Sequence, residues 1–259
     1  MNELLTATHI VRWADTRASQ GLLPELVRRL ILGTVDRSHI QRIDFPAEDS
    51  INRPGVDGLL QVTLGSAYVP SGQSVWEMGV DKNFARKADK DYAKRTSSPG
   101  PIIPGQTTFI FFTPRRWQGK HDWVTAKADE RIWADVRSYD ADDLEQWIAT
   151  CPAVQAWACR VIRELPTEGI RDMQEVWEQW QYRTNPELKP EMLLAGRNPA
   201  VVRVRAWLAS PPARLQVRAA TTDEAVGFLA AVIQTADELE RARLRSRSLY
   251  VSTPESWRA

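Results

Sequence analysis

A chain of 259 residues with 43% hydrophobic and 26% charged residues has the make-up of a globular protein, with room for one large domain or a domain plus a smaller appendage. A formal net charge of +1 excludes a globally basic polyanion binder, so any nucleic-acid surface must be local. The N-terminus lacks the basic-then-apolar order of a signal peptide, no apolar run reaches membrane-spanning length, and Cys151 and Cys159 match no zinc spacing; a cytoplasmic protein with reduced thiols and no membrane partner is expected.

The first clear element is "GLLPELVRRLIL" (21–32), a helix with Leu22, Leu26, Leu30 and Ile31 at helical spacing, Pro24 in its first turn and Arg28–Arg29 outward. "HIQRIDFP" reads as a short strand. "RPGVDGLLQVTL" opens with turn residues and continues as a strand to Leu64. "YVPSGQ" supplies a reversal, and "SVWEMGV" returns as a third strand, with Trp76 and Met78 facing away from Glu77. "KNFARKADKDYAKRT" is an amphipathic helix sharing Phe84, Ala88 and Tyr92 on one face. After the Pro/Gly/Ser loop "SSPGPIIPGQ", the continuous apolar run "TTFIFFTP" predicts a strand buried on both faces. "RIWADVRSYD" reads as another strand. Asp140 caps a helix through Trp147, and "PAVQAWACRVI" forms a second. The eleven tryptophans read as core and helix contacts.

Composition changes after Pro166. "GIRDMQEVWEQWQYRT" is helical, with Met173, Val176, Trp177 and Trp180 at core spacing. "EMLLAGR" and "ARLQVRAA" look strand-like, residues 222–247 read as one long helix capped by Thr222 or Asp223, and "SLYVST" begins a further strand. The stop at Ala259 reads as a fragment of a longer protein or a shortened relative. The expectation is an α/β domain over 1–165, with a mixed sheet whose first strands form a meander, and a mostly helical α/β extension over 166–259. No GxxxxGK[ST] loop is present, so a P-loop nucleotide site is not expected.

Two carboxylates carry chemistry. Asp57 stands at the start of the second strand and Glu77 inside the third. A hairpin joining these strands brings both to one sheet edge, where two acidic groups are costly without a cation between them. Mg²⁺ (or Mn²⁺) suits such an oxygen site and polarises a phosphate or activates a water. The adjoining helix carries Lys82, Arg86, Lys87, Lys90, Lys94 and Arg95, and Arg115, Arg116 and Lys120 form a second basic cluster, both able to hold a phosphodiester backbone. Other readings stay open: Asp57 as a turn former, Glu77 paired with an arginine, the basic helix as a solvated face.

The order helix–strand–strand–strand–helix–strand with these acids resembles the PD-(D/E)XK restriction-endonuclease-like superfamily over residues 20–115. More closely, "RPGVDG", "YVPSGQSVWEMG" and "RKADKDYAKRT" resemble N-terminal domains that precede the NTPase modules of bacterial STAND-type proteins, several of them anti-phage defence proteins. The resemblance implies an αβββαβ core, Asp57 and Glu77 as metal ligands, and Glu25 as an additional acidic ligand. It implies a Mg²⁺-dependent endonuclease acting on duplex DNA, with a fused or separate NTPase module as partner and a homo-oligomer left open. Gly79 stands where the family's lysine belongs, so Lys87, and after it Lys82, would have to supply that amine from the helix. If neither does, a catalytically degenerate module for nucleic-acid binding or protein assembly is the alternative. A third reading is a protein-interaction domain using the tryptophan-rich helices between Trp147 and Trp180. His9, His39 and His121 are scattered and support no triad hydrolase.

Overall fold

A computed structural model of the chain describes residues 5–46, 55–163, 169–210 and 213–258. Arg53 and Pro54 of the expected turn, and Pro166 at the composition change, lie outside the described residues. The chain divides into two compact units, Glu3–Leu165 and Pro166–Ala259 together with Met1–Asn2.

The first unit is an α/β assembly whose five-stranded mixed sheet has helices on both faces. Its strands are β1 (Ile40–Asp44), β2 (Gly58–Val62), β3 (Gly72–Met78), β4 (Thr107–Phe112) and β5 (Asp135–Tyr139), in spatial order β1-β2-β3-β4-β5. β1, β2 and β3 pair antiparallel as a meander, and β4 and β5 follow parallel to β3. A parallel step needs a crossover, and α3 (Phe84–Ser97) supplies the one from β3 to β4. All six residues of β4 are buried, as the unbroken apolar run requires at the centre of a covered sheet.

One face of the sheet packs on α3: Val75, Phe109, Phe111 and Val136 meet Ala88, Tyr92, Trp117 and Trp133. The other presents Trp76, which stacks on Trp147 of α5 (Ala141–Ala149) and meets Phe45 edge-on. The same layer holds α1 (Ala7–Trp13), α2 (Ala18–Thr34) and α6 (Pro152–Arg163). Helix α2 is longer than the expected 21–32, so Pro24 lies in its interior rather than its first turn, and Leu23 and Val27 are buried beside Leu26 and Leu30. Helix α4 (Lys120–Asp129), like α1, went unpredicted; none of its residues is fully buried, so it leaves no apolar stripe.

In the second unit, α7 (Met173–Gln181) packs Met173, Val176 and Trp177 against Ala230, Ala231 and Ile233 of α10 (Thr222–Gln234). Three expectations are corrected. "EMLLAGR" begins inside the short helix α8 (Pro190–Leu194), because the preceding Pro190 is preset for a first helical position. "ARLQVRAA" forms no strand in its described residues 213–220, where nearly all side chains are exposed and no partner strand pairs. The long helix breaks after α10, and Asp237 caps a separate α11 (Glu238–Arg247) through the Glu240 amide. The unit also holds α9 (Asn198–Ala209), α12 (Pro254–Arg258) and an antiparallel pair, β6 (Ile170–Asp172) with β7 (Leu249–Val251). No helix of the described residues is long and apolar enough to cross a membrane.

Candidate functional site

The register of the β2–β3 hairpin builds the site. Gly58 pairs with Trp76, so the next position outward sets Asp57 beside Glu77. Directly opposed residues of an antiparallel pair put their side chains about 5 Å apart on one face. Asp57 is held there by its Oδ2, which accepts the Met78 amide at 2.7 Å. Gly55, two residues before it, has φ +138°, a backbone conformation that a side-chain-bearing residue rarely adopts, which fits the turn into β2.

Glu77 is 2% exposed, on the face that packs against α3. The helix answers it with Arg95, whose Nε donates to Glu77 Oε1 while a terminal guanidinium nitrogen donates to the Gly55 carbonyl. The arginine partner weighed for Glu77 is therefore present. It does not settle the charge: burial, reinforced by the negative charge of Asp57, pushes the Glu77 carboxyl up to about 7 against the pull of Arg95. Among the described residues, Asp57 Oδ1 and Glu77 Oε2 accept no hydrogen bond.

Gly79 has a spatial explanation. A Cβ there would stand 2.9 Å from Lys87 Cδ and 3.1 Å from the Phe111 ring, so the Lys87 stem already fills the place a side chain would take. Lys87 donates from Nζ to Asp91 Oδ2 at 2.5 Å. Burial weighs against its ammonium, but the bond to Asp91 and the charges of Asp91, Asp57 and Glu77 outweigh it and raise its pKa above the usual lysine value.

A cleft of about 140 Å³ opens at this edge, lined by Asp57, Met78, Val80, Asp81 and Lys87 from the sheet and α3 side and by Gln20, Leu23 and Pro24 of α2. A wider groove of about 650 Å³ runs along the start of α3 past Lys82, Arg86, Lys87, Lys90 and Asp91. Lys82, Arg86 and Lys90 are exposed there and make no ion pair with a described carboxylate. Lys94, also exposed, lies beyond the groove's lining.

Several expected site residues stand elsewhere. Glu25 does not line the cleft; its carboxylate is engaged by Arg28 and Arg29 one turn along its own helix, because α2 turns positions 20, 23 and 24 toward the cleft. Arg95 is turned inward onto Glu77, and Arg115 is 8% exposed, donating to the carbonyls of Val80 and Ala14 and to Asp15. Neither presents its guanidinium to a phosphate. Arg116 is exposed and pairs with Asp142. Among the described residues no group of three His, Cys, Asp or Glu side chains could hold a metal, so the expected three-acid set is not assembled. A two-carboxylate site remains compatible with Mg²⁺, which takes one or two carboxylates and keeps several waters.

Gln20 and Asp91 were missed as site residues. Asp91 could have been found as an acid on the apolar Ala88–Tyr92 face of its helix, four residues after Lys87; Gln20 carried no signal beyond its position on α2. No family model, no curated protein and no solved structure matches the chain.

Proposed function

We propose that the first unit is a metal-dependent endonuclease domain that hydrolyses DNA phosphodiester bonds, the effector of a larger bacterial anti-phage defence protein. The observation that carries this reading is the juxtaposition of Asp57 and Glu77 across the β2–β3 register: Asp57 lines the cleft together with Lys87, which occupies the space that Gly79 leaves open, and Glu77 stands buried just behind the cleft's lining. The order α2–β1–β2–β3–α3–β4 agrees with the αβββαβ core that the resemblance implies.

The donor set fits Mg²⁺ or Mn²⁺: two neighbouring carboxylates, each with an oxygen free of any described donor, one of them held partly protonated near neutrality by burial and the facing Asp57 despite Arg95. Such an ion, when bound, supplies Lewis-acid polarisation of the phosphate and a lowered pKa for the attacking water. The chain's own residues do the rest. Asp57 and Glu77 would hold the ion, the first fixed by the Met78 amide and the second by Arg95. Lys87 would orient the attacking water and stabilise charge building on the phosphate oxygens. The attacking water gives up a proton to bulk solvent as its oxygen bonds to phosphorus and the bond to the leaving oxygen breaks, and the leaving oxygen takes a proton from solvent in turn. Lys82, Arg86 and Lys90 would track the neighbouring phosphates along the groove. Cations near the start of a helix oppose its macrodipole, and α3 has no acid in its first turn. A stretch so arranged serves an anion better than it serves helix stability.

The deciding experiment is a cleavage assay on duplex DNA with Mg²⁺ or Mn²⁺ against EDTA. Asp57→Ala and Glu77→Ala should abolish metal-dependent product; cleavage that survives both changes refutes the reading. A second reading has one observation in its favour: Arg95 already sets a positive charge on Glu77. A nuclease-fold module that binds DNA without cutting would show strong salt dependence and no product in either buffer.

A further inference from the structure

Asp91 is a buried acid that the two-carboxylate site does not use. It sits on α3 at 9% exposure with Lys87 one turn before it, and their side chains are 13% and 31% exposed. An ordinary surface pair in the same unit, Arg116–Asp142, is more than half exposed on both sides. The difference matters because exposed pairs contribute little and are held loosely, whereas a largely buried pair fixes the geometry of both partners. The order of the two charges is also unfavourable for the helix. An acid one turn before a base suits the macrodipole; here the base comes first and lies near the helix start. Helix stability does not account for this pair, and the placement of the amine does.

We infer that Asp91 is the positioning residue for Lys87: it grips the ammonium at Nζ while the gap at Gly79, backed by Phe111, holds the stem, so that a helix-borne lysine stays in the cleft beside Asp57. The inference rests on the endonuclease reading for its catalytic consequence, but not for the geometry. A lysine has four rotatable bonds, and held at one end only it would sweep the open groove toward Lys90. Gly79 removes the steric barrier and Asp91 removes the freedom. A lysine on the strand needs no tether, whereas one arriving from the helix needs both a space and an anchor.

The test uses the full chain and reads Lys87 directly. Metal-free protein is treated briefly with acetic anhydride at pH 8, and acetylation of Lys87, Lys82 and Lys90 is quantified by peptide mass spectrometry. Asp91→Ala should raise the Lys87 rate by about fivefold or more as the amine loses its charge partner, with Lys82 and Lys90 unchanged as internal controls. Asp91→Asn, which keeps the shape and one acceptor oxygen and so guards against misfolding, should give a smaller rise in the same direction. In the cleavage assay, Asp91→Ala should lower kcat by about tenfold or more with KM for DNA within about twofold. A Lys87 rate unchanged in both variants overturns the inference, as does a loss carried by KM alone. If the wild type shows no metal-dependent cleavage while Lys87 is still shielded by Asp91, the endonuclease reading fails and the positioning role stands.

Discussion

Two buried acid–base clusters sit at the ends of β3 and β5, on either side of β4, and their most deeply buried acids shift in opposite directions. At the end of β5, Asp140 is 4% exposed and fully engaged: it accepts the Trp117 amide and Lys120 Nζ, each at 3.0 Å, and caps α5 through the amides of Asp142 and Asp143. Burial opposes its ionisation, but the Trp117 amide and Lys120 more than offset that and hold it below the usual aspartate value. At the end of β3, Glu77 is at least as deeply buried and has a guanidinium on it, yet burial and the facing Asp57 keep it near 7. Each cluster holds one carboxylate more than it has cations: Lys120 is shared by Asp140 and Asp143, and burial pushes Asp143 up. The difference lies in where the raised acid stands. Asp143 is bonded by Lys120 and the Asp140 amide within the α5 cap, whereas Glu77 faces a second carboxylate, Asp57, that lines an open cleft. The second cluster is therefore where a cation or a reaction is to be sought.

The contrast is sharpest in paired substitutions. Glu77→Gln should cut metal-dependent cleavage by about a thousandfold, on the order of 4 kcal/mol of transition-state stabilisation, while leaving the denaturation midpoint of metal-free protein at pH 8 unchanged or higher. Asp140→Ala should do the reverse. It removes a helix cap and strands the buried Trp117 N–H, a loss of about 3 kcal/mol by chemical denaturation, with the cleavage of the remaining folded protein near wild type. If Glu77→Gln unfolds the protein and Asp140→Ala does not, the assignment of structural and functional clusters is inverted.

Titration separates the clusters next. A carboxyl whose folded pKa is raised from 4.5 to about 7 binds its proton more tightly in the folded state. Its contribution to stability is therefore fully present below about pH 4.5 and is lost as pH rises to about 7, amounting to about 3 kcal/mol across that window. Asp140, held low, contributes with the opposite sign: its share is present above the unfolded pKa and is lost as pH falls through the folded one. Urea midpoints of metal-free wild type and Glu77→Gln, measured from pH 5 to 8, should diverge, with the wild type falling relative to the variant. Parallel profiles would mean that Glu77 is not the strained group. Added Mg²⁺ should restore the wild type most at the alkaline end, where the ligand is already ionised.

The sheet was legible because β-strands carry a short-range code. Turn residues bracket 58–62 and 72–78, and the unbroken apolar run at 107–112 admits little else than a covered central strand. Asp57 and Glu77 followed from that code, since a hairpin around Pro70–Gly72 sets their register. What stayed illegible depends on three-dimensional detail. Glu25 and Gln20 lie on one helix, and only the packing of α2 decides which faces the cleft. Arg95 and Arg86 look alike in a basic helix, but Arg95 falls two turns after Lys87 on the stripe that meets the sheet, and Arg86 lies off it. In the second unit, the alternation of Leu215 and Val217 imitates a strand but pairs with no strand among the described residues.

The same distinction between inward and outward cations yields the smallest expected effect. Each phosphate neutralised on duplex DNA contributes about −0.9 to the slope of log K against log salt. Arg86 and Lys90 are exposed on the groove without a described carboxylate partner, so Arg86→Ala and Lys90→Ala should each flatten the slope by about that amount with no change in thermal stability. Arg115 carries the same charge but gives it to Val80, Ala14 and Asp15. Arg115→Gln should lower stability and leave the slope untouched. Filter-binding titrations over about a tenfold salt range, run in EDTA so that cleavage does not intervene, resolve a change of this size. A slope that responds to Arg115 and not to Arg86 would move the DNA path off α3 and toward the loop after β4.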